Sequence, residues 1–264
     1  MNKLVIKDTE LNVSRLAMGC AKIGGCNDKN CAERLLDTFY DLGWNLYDTA
    51  RVYGDSEEIL GTWLQKNGKR QNVIIVTKGG HPIINENLNY CSRFYRKIKK
   101  KIGIPIIPKV RNTREALRMD LEESLKNLQS DYIDVYLYHR DDPTMKKMDN
   151  KMIEYHKQQT ENVAMGYSSI CSGFFHKLDS NWNPNLEQSE YFSEENLRCL
   201  EELKKLMKKY GASLTQVELG FLLTRDFSCI PIYGPRNAVD LLDAVQALDI
   251  PFTVADYQFL EHVN

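Results

Sequence analysis

Several features are missing from this sequence, and each absence narrows what the chain can be. No stretch approaches the roughly 18 consecutive apolar residues of a membrane-spanning helix, and the start, Met1 to Asp8, has no uninterrupted apolar core. The expectation is a protein that neither spans a membrane nor carries a secretory leader, and therefore a cytoplasmic one. There is no excess of charge of one sign: 35 Lys and Arg face 36 Asp and Glu, a net charge of −1, which argues against a nucleic-acid partner. C-x-x-C pairs are missing as well. Seven cysteines are scattered, an odd number, and the closest set (Cys20, Cys26 and Cys31) has no histidine following at metal-site spacing. They read as reduced thiols. What is present is 42% apolar and 27% charged residues over 264 positions, enough core for one large α/β domain spanning residues 1–264.

In chain order, Leu4-Val5-Ile6 and Leu11-Asn12-Val13 flank Asp8-Thr9-Glu10 as a hairpin, and Leu16 to Cys20 reads as a first core strand. Leu35, Leu36, Phe39 and Leu42 fall at helical spacing before Gly43. A strand at 44–47 follows, then a helix capped by Ser56 with Ile59, Leu60, Trp63 and Leu64 inward and Asn67-Gly68 at its end. A strand at 73–78 precedes a helix carrying Leu117, Leu121, Leu125 and Leu128, and a strand at 132–138 comes next. After a strand at 162–167, Leu197, Leu200, Leu203 and Leu206 mark a helix from Ser193 to Gly211. Ser213 to Gln216 forms a capping box, Cys229 to Ile232 a strand, and Val239, Leu242 and Val245 a last helix face. This alternation predicts a parallel sheet covered by helices, with six core strands.

Two connections stand out. Residues 79–112 are long for such a fold and hold a basic cluster at 93–101 (Arg93, Arg96, Lys97, Lys99, Lys100, Lys101). It reads as a solvated helix, as a lid over the site, or as a docking patch for an acidic partner. Only 23 residues, Arg140 to Asn162, separate the strands ending at His139 and Tyr167. That is room for a single helix within 148–158, since each βα unit needs about 30 residues.

Three strands end in reactive residues: Asp48, followed by Tyr53, then Lys78, then His139. Parallel strands would bring all four to one mouth of the sheet, at the carboxyl ends, where such folds place their sites. A phenol has a pKa near ~10, so a neighbouring lysine cation, held by an aspartate, would favour its ionised form. A histidine beside the phenol could hold a substrate oxygen. The set suits protonation of a carbonyl oxygen while hydride arrives at its carbon.

The stretch Leu42 to Gly54, the Val76-Thr77-Lys78 strand end, Asp131 to His139, Gly166-Tyr167-Ser168-Ser169 and Ile232 to Asn237 together resemble the aldo-keto reductase family, over most of residues 1–143 and 148–250. The resemblance implies a (β/α)8 barrel (TIM barrel) and an NADP or NAD cofactor. It also implies a catalytic tetrad of Asp48, Tyr53, Lys78 and His139 with Tyr53 as general acid, acting on a small carbonyl or alcohol substrate. It places Tyr167 against the nicotinamide, and Ser168, Ile170, Ser172, Gly234, Arg236 and Asn237 along the pyrophosphate side. Two departures accompany it. The two βα units that supply the carboxamide clamp have no counterpart, as if a block were deleted between about residues 143 and 149, so the expected fold is a barrel lacking two units and imperfectly closed. Self-association through the open wall is expected. Asp240 and Ala244 stand where a basic or amide residue and an asparagine are common, so Asp240 would repel a 2′-phosphate and Arg236 would be the compensating cation. The readings are an active NAD(P)H-dependent reductase, or an impaired relative that still binds nucleotide or a protein partner. A third is a metal-dependent hydrolase using His81, His139 and Asp48.

Overall fold

A computed structural model describes residues 3–25, 29–81, 113–139, 163–180, 186–189, 191–225 and 227–260. The basic segment 93–101, the helix expected within 148–158 and the apparent deletion point lie outside the described residues.

Strands β1 (Lys3–Val5) and β2 (Asn12–Ser14) form the antiparallel hairpin, with Leu4 opposite Val13. Six strands then build one parallel sheet: β3 (Ala17–Gly19), β4 (Leu46–Asp48), β5 (Ile74–Gly79), β6 (Val135–Tyr138), β7 (Ala164–Gly166) and β8 (Cys229–Tyr233). Their order across the sheet is β6-β5-β4-β3-β8-β7. This is the cyclic order of a barrel opened between β6 and β7, so the structure is a parallel half-barrel, as the strand count predicted. The strand after Val163 pairs parallel to β8, with Met165 opposite Ile230.

Alternation along the strands, period two, divides two apolar layers. Ala17, Leu46, Ile74, Val76 and Ile230 share the inner face, and Leu4, Ile6 and Leu11 of the hairpin pack against it. Met18, Tyr47 and Ile75 point outward to α1 (Lys29–Asp41), α2 (Ser56–Asn67) and α7 (Ala238–Gln246), meeting Leu36, Phe39, Leu60, Trp63 and Leu241. A further cluster joins α4 (Phe174–Asp179), α5 (Glu194–Tyr210) and α6 (Leu214–Leu223) around Phe174, Leu203 and Val217.

Helix ends follow their signals in most places. Gly68 and Gly211 take left-handed conformations (φ 60° and 62°) at the ends of α2 and α5, where a side chain would add strain. Ser193 accepts the Asn196 N–H, and the Ser213–Gln216 capping box is complete.

Three expectations need correction. Ser56 does not cap α2: Asp55 occupies that position, and the Ser56 hydroxyl is buried, donating to the Cys20 carbonyl at 2.9 Å. The helix α3 (Arg114–Asn127) does not turn its leucines squarely inward. Its buried positions are Asp120 and Ser124, with Leu128 just beyond, because the helix also has to deliver a carboxylate to the sheet. On α7 the inward residues are Leu241 and Ala244, while Val239 is 75% exposed. Asp243 there bonds Ser213 and Gln216 of the α6 start, and this fixes the helix rotation against the simple apolar pattern.

Candidate active site

Because the sheet is parallel, every strand delivers its last residue to the same edge. The edge runs His139, Lys78, Asp48, Gly19, Gly234, Tyr167 in strand order. The four expected catalytic residues occupy one end of this row, and the expected cofactor residues the other.

Lys78 Nζ donates to Asp48 Oδ1 at 2.6 Å and to the Thr49 carbonyl at 2.9 Å. Both side chains are nearly enclosed, 12% and 6% exposed. Burial pushes the Asp48 carboxyl above its ordinary range, and the Lys78 charge opposes that shift. The Tyr53 ring lies 5.2 Å from Lys78 Nζ and meets the His139 ring edge-on at 5.4 Å between centroids. His81, at the end of β5, meets His139 in turn at 4.8 Å. The structure thus brings Asp48, Tyr53, Lys78 and His139 together and adds His81 and the Thr49 carbonyl to them.

Tyr53 differs from the sequence expectation in one respect. Its phenol is pushed up to about 12, by burial first and by the negative charge of Asp48 second. The lysine expected to lower it is already engaged by Asp48 and Thr49, so its charge is largely spent before it reaches the ring.

The loop carrying Tyr53 is fastened at both ends. Thr49 and Ser56 hydroxyls lie 2.8 Å apart, and Thr49 N–H donates to the Val76 carbonyl. Arg51 pairs with buried Asp120 at 3.1 Å and with Glu123 at 2.9 Å. Asp120 also accepts the Gly80 N–H at 2.9 Å, tying the loop to the end of β5. Glu57, 1% exposed, accepts from Thr77 at 2.7 Å and from Asn127 at 3.1 Å. Sequence reading missed Arg51, Glu57 and Asp120. The signal was present, since an acid on an otherwise apolar helix face needs a buried partner, but the partner lies far along the chain.

At the other end, Ser168, Cys171, Ser172 and Gly173 all adopt positive φ (53°, 46°, 54° and 74°). The loop folds back on itself, and the Ser169 hydroxyl fastens it to β8 by donating to the Ile232 carbonyl at 2.6 Å. Ile170 packs on the core, whereas the Tyr167 ring is 83% exposed. Gly234 follows β8 beside Gly19, where an added Cβ would lie 3.4 Å from the Gly19 carbonyl oxygen. Asn237 caps α7 by accepting the Asp240 N–H at 2.9 Å. Arg236 is already paired: its Nε donates to Asp240 Oδ2 at 2.8 Å, while the side chain stays 76% exposed. Among the described residues no group of three or more His, Cys, Asp or Glu side chains is placed to hold a metal, and Asp48 is committed to Lys78.

With this geometry in place, comparison with known proteins is decisive. The aldo/keto reductase family model matches residues 15–154 and again 145–264. The chain belongs to the aldo/keto reductase family. The two matches overlap at 145–154, around the point where the motif blocks adjoin. An aryl-alcohol dehydrogenase of Pestalotiopsis microspora is 24% identical over 336 aligned positions, covering 98% of this chain and 81% of that protein. The aligned length exceeds the 264 residues present, so that relative carries segments with no counterpart here. An uncharacterised oxidoreductase of Bacillus subtilis is 24% identical, covering 97% of this chain and 93% of its own length. An aldo-keto reductase of the same organism is 33% identical over 144 residues, 52% of this chain and 38% of that protein. The family is one of oxidoreductases, and among the described residues no helix is long and apolar enough to cross a membrane.

Proposed function

We propose that the chain is an NAD(P)H-dependent reductase of aldehydes or ketones, with Tyr53 as the proton donor. One observation carries the reading: Lys78 bonded to Asp48 at 2.6 Å, with Tyr53 and His139 edge to edge beside it, at the carboxyl ends of three adjacent parallel strands.

The residues present fit a nicotinamide dinucleotide at its centre better than at its ends. The 168–173 loop is turned by left-handed residues at Ser168 and from Cys171 to Gly173. The Cys171 and Gly173 amides are taken by the Ser168 and Ile170 carbonyls, so the Ser168 and Ser172 hydroxyls would be the groups that receive the pyrophosphate. Gly234 and Gly19 keep the neighbouring wall low. At the adenosine end Arg236 is held by Asp240, and nothing among the described residues takes the place of the carboxamide clamp.

When bound, the cofactor would supply hydride to the carbonyl carbon. The chain's own residues then handle the oxygen. His139 sits where it can orient a carbonyl oxygen toward the Tyr53 hydroxyl, and Asp48 keeps Lys78 fixed beneath the ring. Tyr53, at about 12, holds its proton throughout the neutral range. The developing alkoxide is a far stronger base than a phenolate, since hydroxylic acids such as water ionise only near ~15.7, so the transfer still runs downhill. The hydrogen leaves Tyr53 as a proton, the alcohol is released, and the phenolate recovers a proton from solvent.

A second reading has its own support. The high proton affinity of Tyr53 and the Arg236–Asp240 pair suit a chain that binds nucleotide or a partner and turns over little. Titration of NADPH and NADH by nicotinamide fluorescence, followed by single-turnover oxidation with aromatic aldehydes, separates the two. Aromatic aldehydes are the first choice because one relative is named an aryl-alcohol dehydrogenase. Binding with turnover supports the reductase, binding alone supports the second reading, and no binding of either nucleotide removes the reductase and the nucleotide-binding form of the second reading.

A further inference from the structure

On the face opposite the candidate active site, at the amino ends of β3 and β8, the structure holds a cleft of about 380 Å³. Lys3, Arg15 and Arg225 line it, together with Leu4, Leu223 and Phe227, and among the described residues none that lines it is acidic. We infer that this cleft is a binding site for a small phosphate monoester, separate from the cofactor and substrate site.

The argument begins with the three cations. Positive charges gathered around one cavity repel each other, and proteins usually relieve this with carboxylates. Among the described residues Lys3, Arg15 and Arg225 make no ion pair. Arg15 spends one donor, Nη2, on the Leu223 carbonyl at 3.3 Å, which anchors the side chain and leaves its other donors open. Arg225 stacks its guanidinium 4.3 Å over the Phe221 ring, which fixes its plane without neutralising it. Arg225 Nε is buried and finds no acceptor. A half-buried guanidinium held in one plane, with a buried Nε–H that finds no acceptor, is costly unless something else supplies the negative charge.

The chemistry of the wall indicates which anion. A monocarboxylate would leave most of the charge uncompensated, whereas a phosphate monoester brings about two charges and three acceptor oxygens, matched to the fork of an arginine. Leu4, Leu223 and the half-exposed Phe227 ring provide an apolar margin for the ester's organic part. The volume lies at the lower end of ordinary small-molecule pockets. The Leu223 carbonyl, an unfavourable neighbour for an anion, is already covered by Arg15.

The test is calorimetric titration of the full chain at low salt with phenyl phosphate, inorganic phosphate and benzoate. Phenyl phosphate is expected to bind once per chain, more tightly than inorganic phosphate and at least about tenfold more tightly than benzoate. Arg225→Gln and Lys3→Gln should each weaken it by about tenfold or more, whereas Arg236→Gln, in the cofactor loop, should leave it within about twofold. Lys3 lies exposed on a hairpin strand, so Lys3→Gln reports even if the Arg225 variant fails to fold. Absence of phenyl phosphate binding, indifference to both substitutions, loss in Arg236→Gln, or benzoate binding equally well would each overturn the inference.

Discussion

Tyr53 shows how a single residue's behaviour depends on who reaches it first. Its lysine neighbour was expected to lower the phenol pKa, yet Asp48 and Thr49 take the lysine's hydrogen bonds, and burial decides the outcome. Two outcomes follow if the chain reduces carbonyls. Tyr53→Phe should lower the single-turnover rate by at least about 100-fold, at the lower end of what a general acid contributes, with nucleotide affinity within a few-fold. A Phe variant of comparable activity would remove Tyr53 as the acid. The pH profile of reductive kcat/KM tests the second outcome. A phenol whose pKa is raised stays protonated until pH climbs through about 12, so the donor form is present throughout the neutral and mildly alkaline range. The profile should show no alkaline loss attributable to Tyr53 below about pH 10, the ordinary phenol value. A loss near pH 9 that vanishes in Tyr53→Phe would show the phenol to be lowered rather than raised. The four residues of this cluster were legible from sequence because Asp48, Lys78 and His139 lie at strand ends, with Tyr53 in the loop after the first, and a parallel sheet converts strand ends into neighbours. Arg51, Glu57 and Asp120 were not, because their roles depend on pairings across 69, 20 and 40 positions that no local pattern encodes.

At the scale of elements, α7 and α2 carry opposite lessons about local pattern. The apolar stripe of α7, Val239 and Leu242, reads as an inner face but is exposed, because Asp243 and the α6 capping box set the rotation. Its first turn also bears on the proposed cofactor: Asp240 holds Arg236 at 2.8 Å. Asp240→Asn should free that guanidinium for a 2′-phosphate and improve the NADPH to NADH affinity ratio by about tenfold, or ~1.4 kcal/mol. A ratio unchanged within about twofold would show that Arg236 does not reach the adenosine end. On α2, Gly61 is a helical glycine for a packing reason. An added Cβ would come within 2.5 Å of the Leu128 carbonyl carbon and 2.6 Å of the Asn127 oxygen, both backbone atoms at the end of α3. Alanine normally gains about 1 kcal/mol over glycine in a helix, but overpacking against backbone costs about 1–3 kcal/mol. Gly61→Ala should therefore be neutral to destabilising. A melting temperature lower by up to about 8 °C is expected, at roughly 2–4 °C per kcal/mol for chains of this size. A raised melting temperature would refute the close approach. Helix limits were readable from Gly68, Gly211 and Ser213, which act on their own backbone. Helix rotation was not, since it answers to partners elsewhere.

The whole molecule is organised around a sheet of six parallel strands among the described residues. A closed eight-stranded wall pairs every backbone group, whereas an open run of six leaves two end strands. The motif order alone predicted this opening, because the chain between His139 and Tyr167 is too short for two more βα units. In the described sheet β6 pairs with β5 on one side only, and its Leu137 and Tyr138 are 38% and 62% exposed. At the other end β7 pairs only with β8, and Ala164 is exposed. Apolar end strands favour pairing with a second strand, and the nearest abundant source is another copy of the same chain. Wild-type protein is therefore expected to self-associate, with a sedimentation coefficient that rises with concentration. The double substitution Leu137→Lys and Tyr138→Lys puts charge on both faces of the end strand and should flatten that dependence without moving the Asp48–Lys78 pair. If the wild type instead sediments as a monomer at every concentration, the edge is closed from within the chain, and the open wall is not an interface.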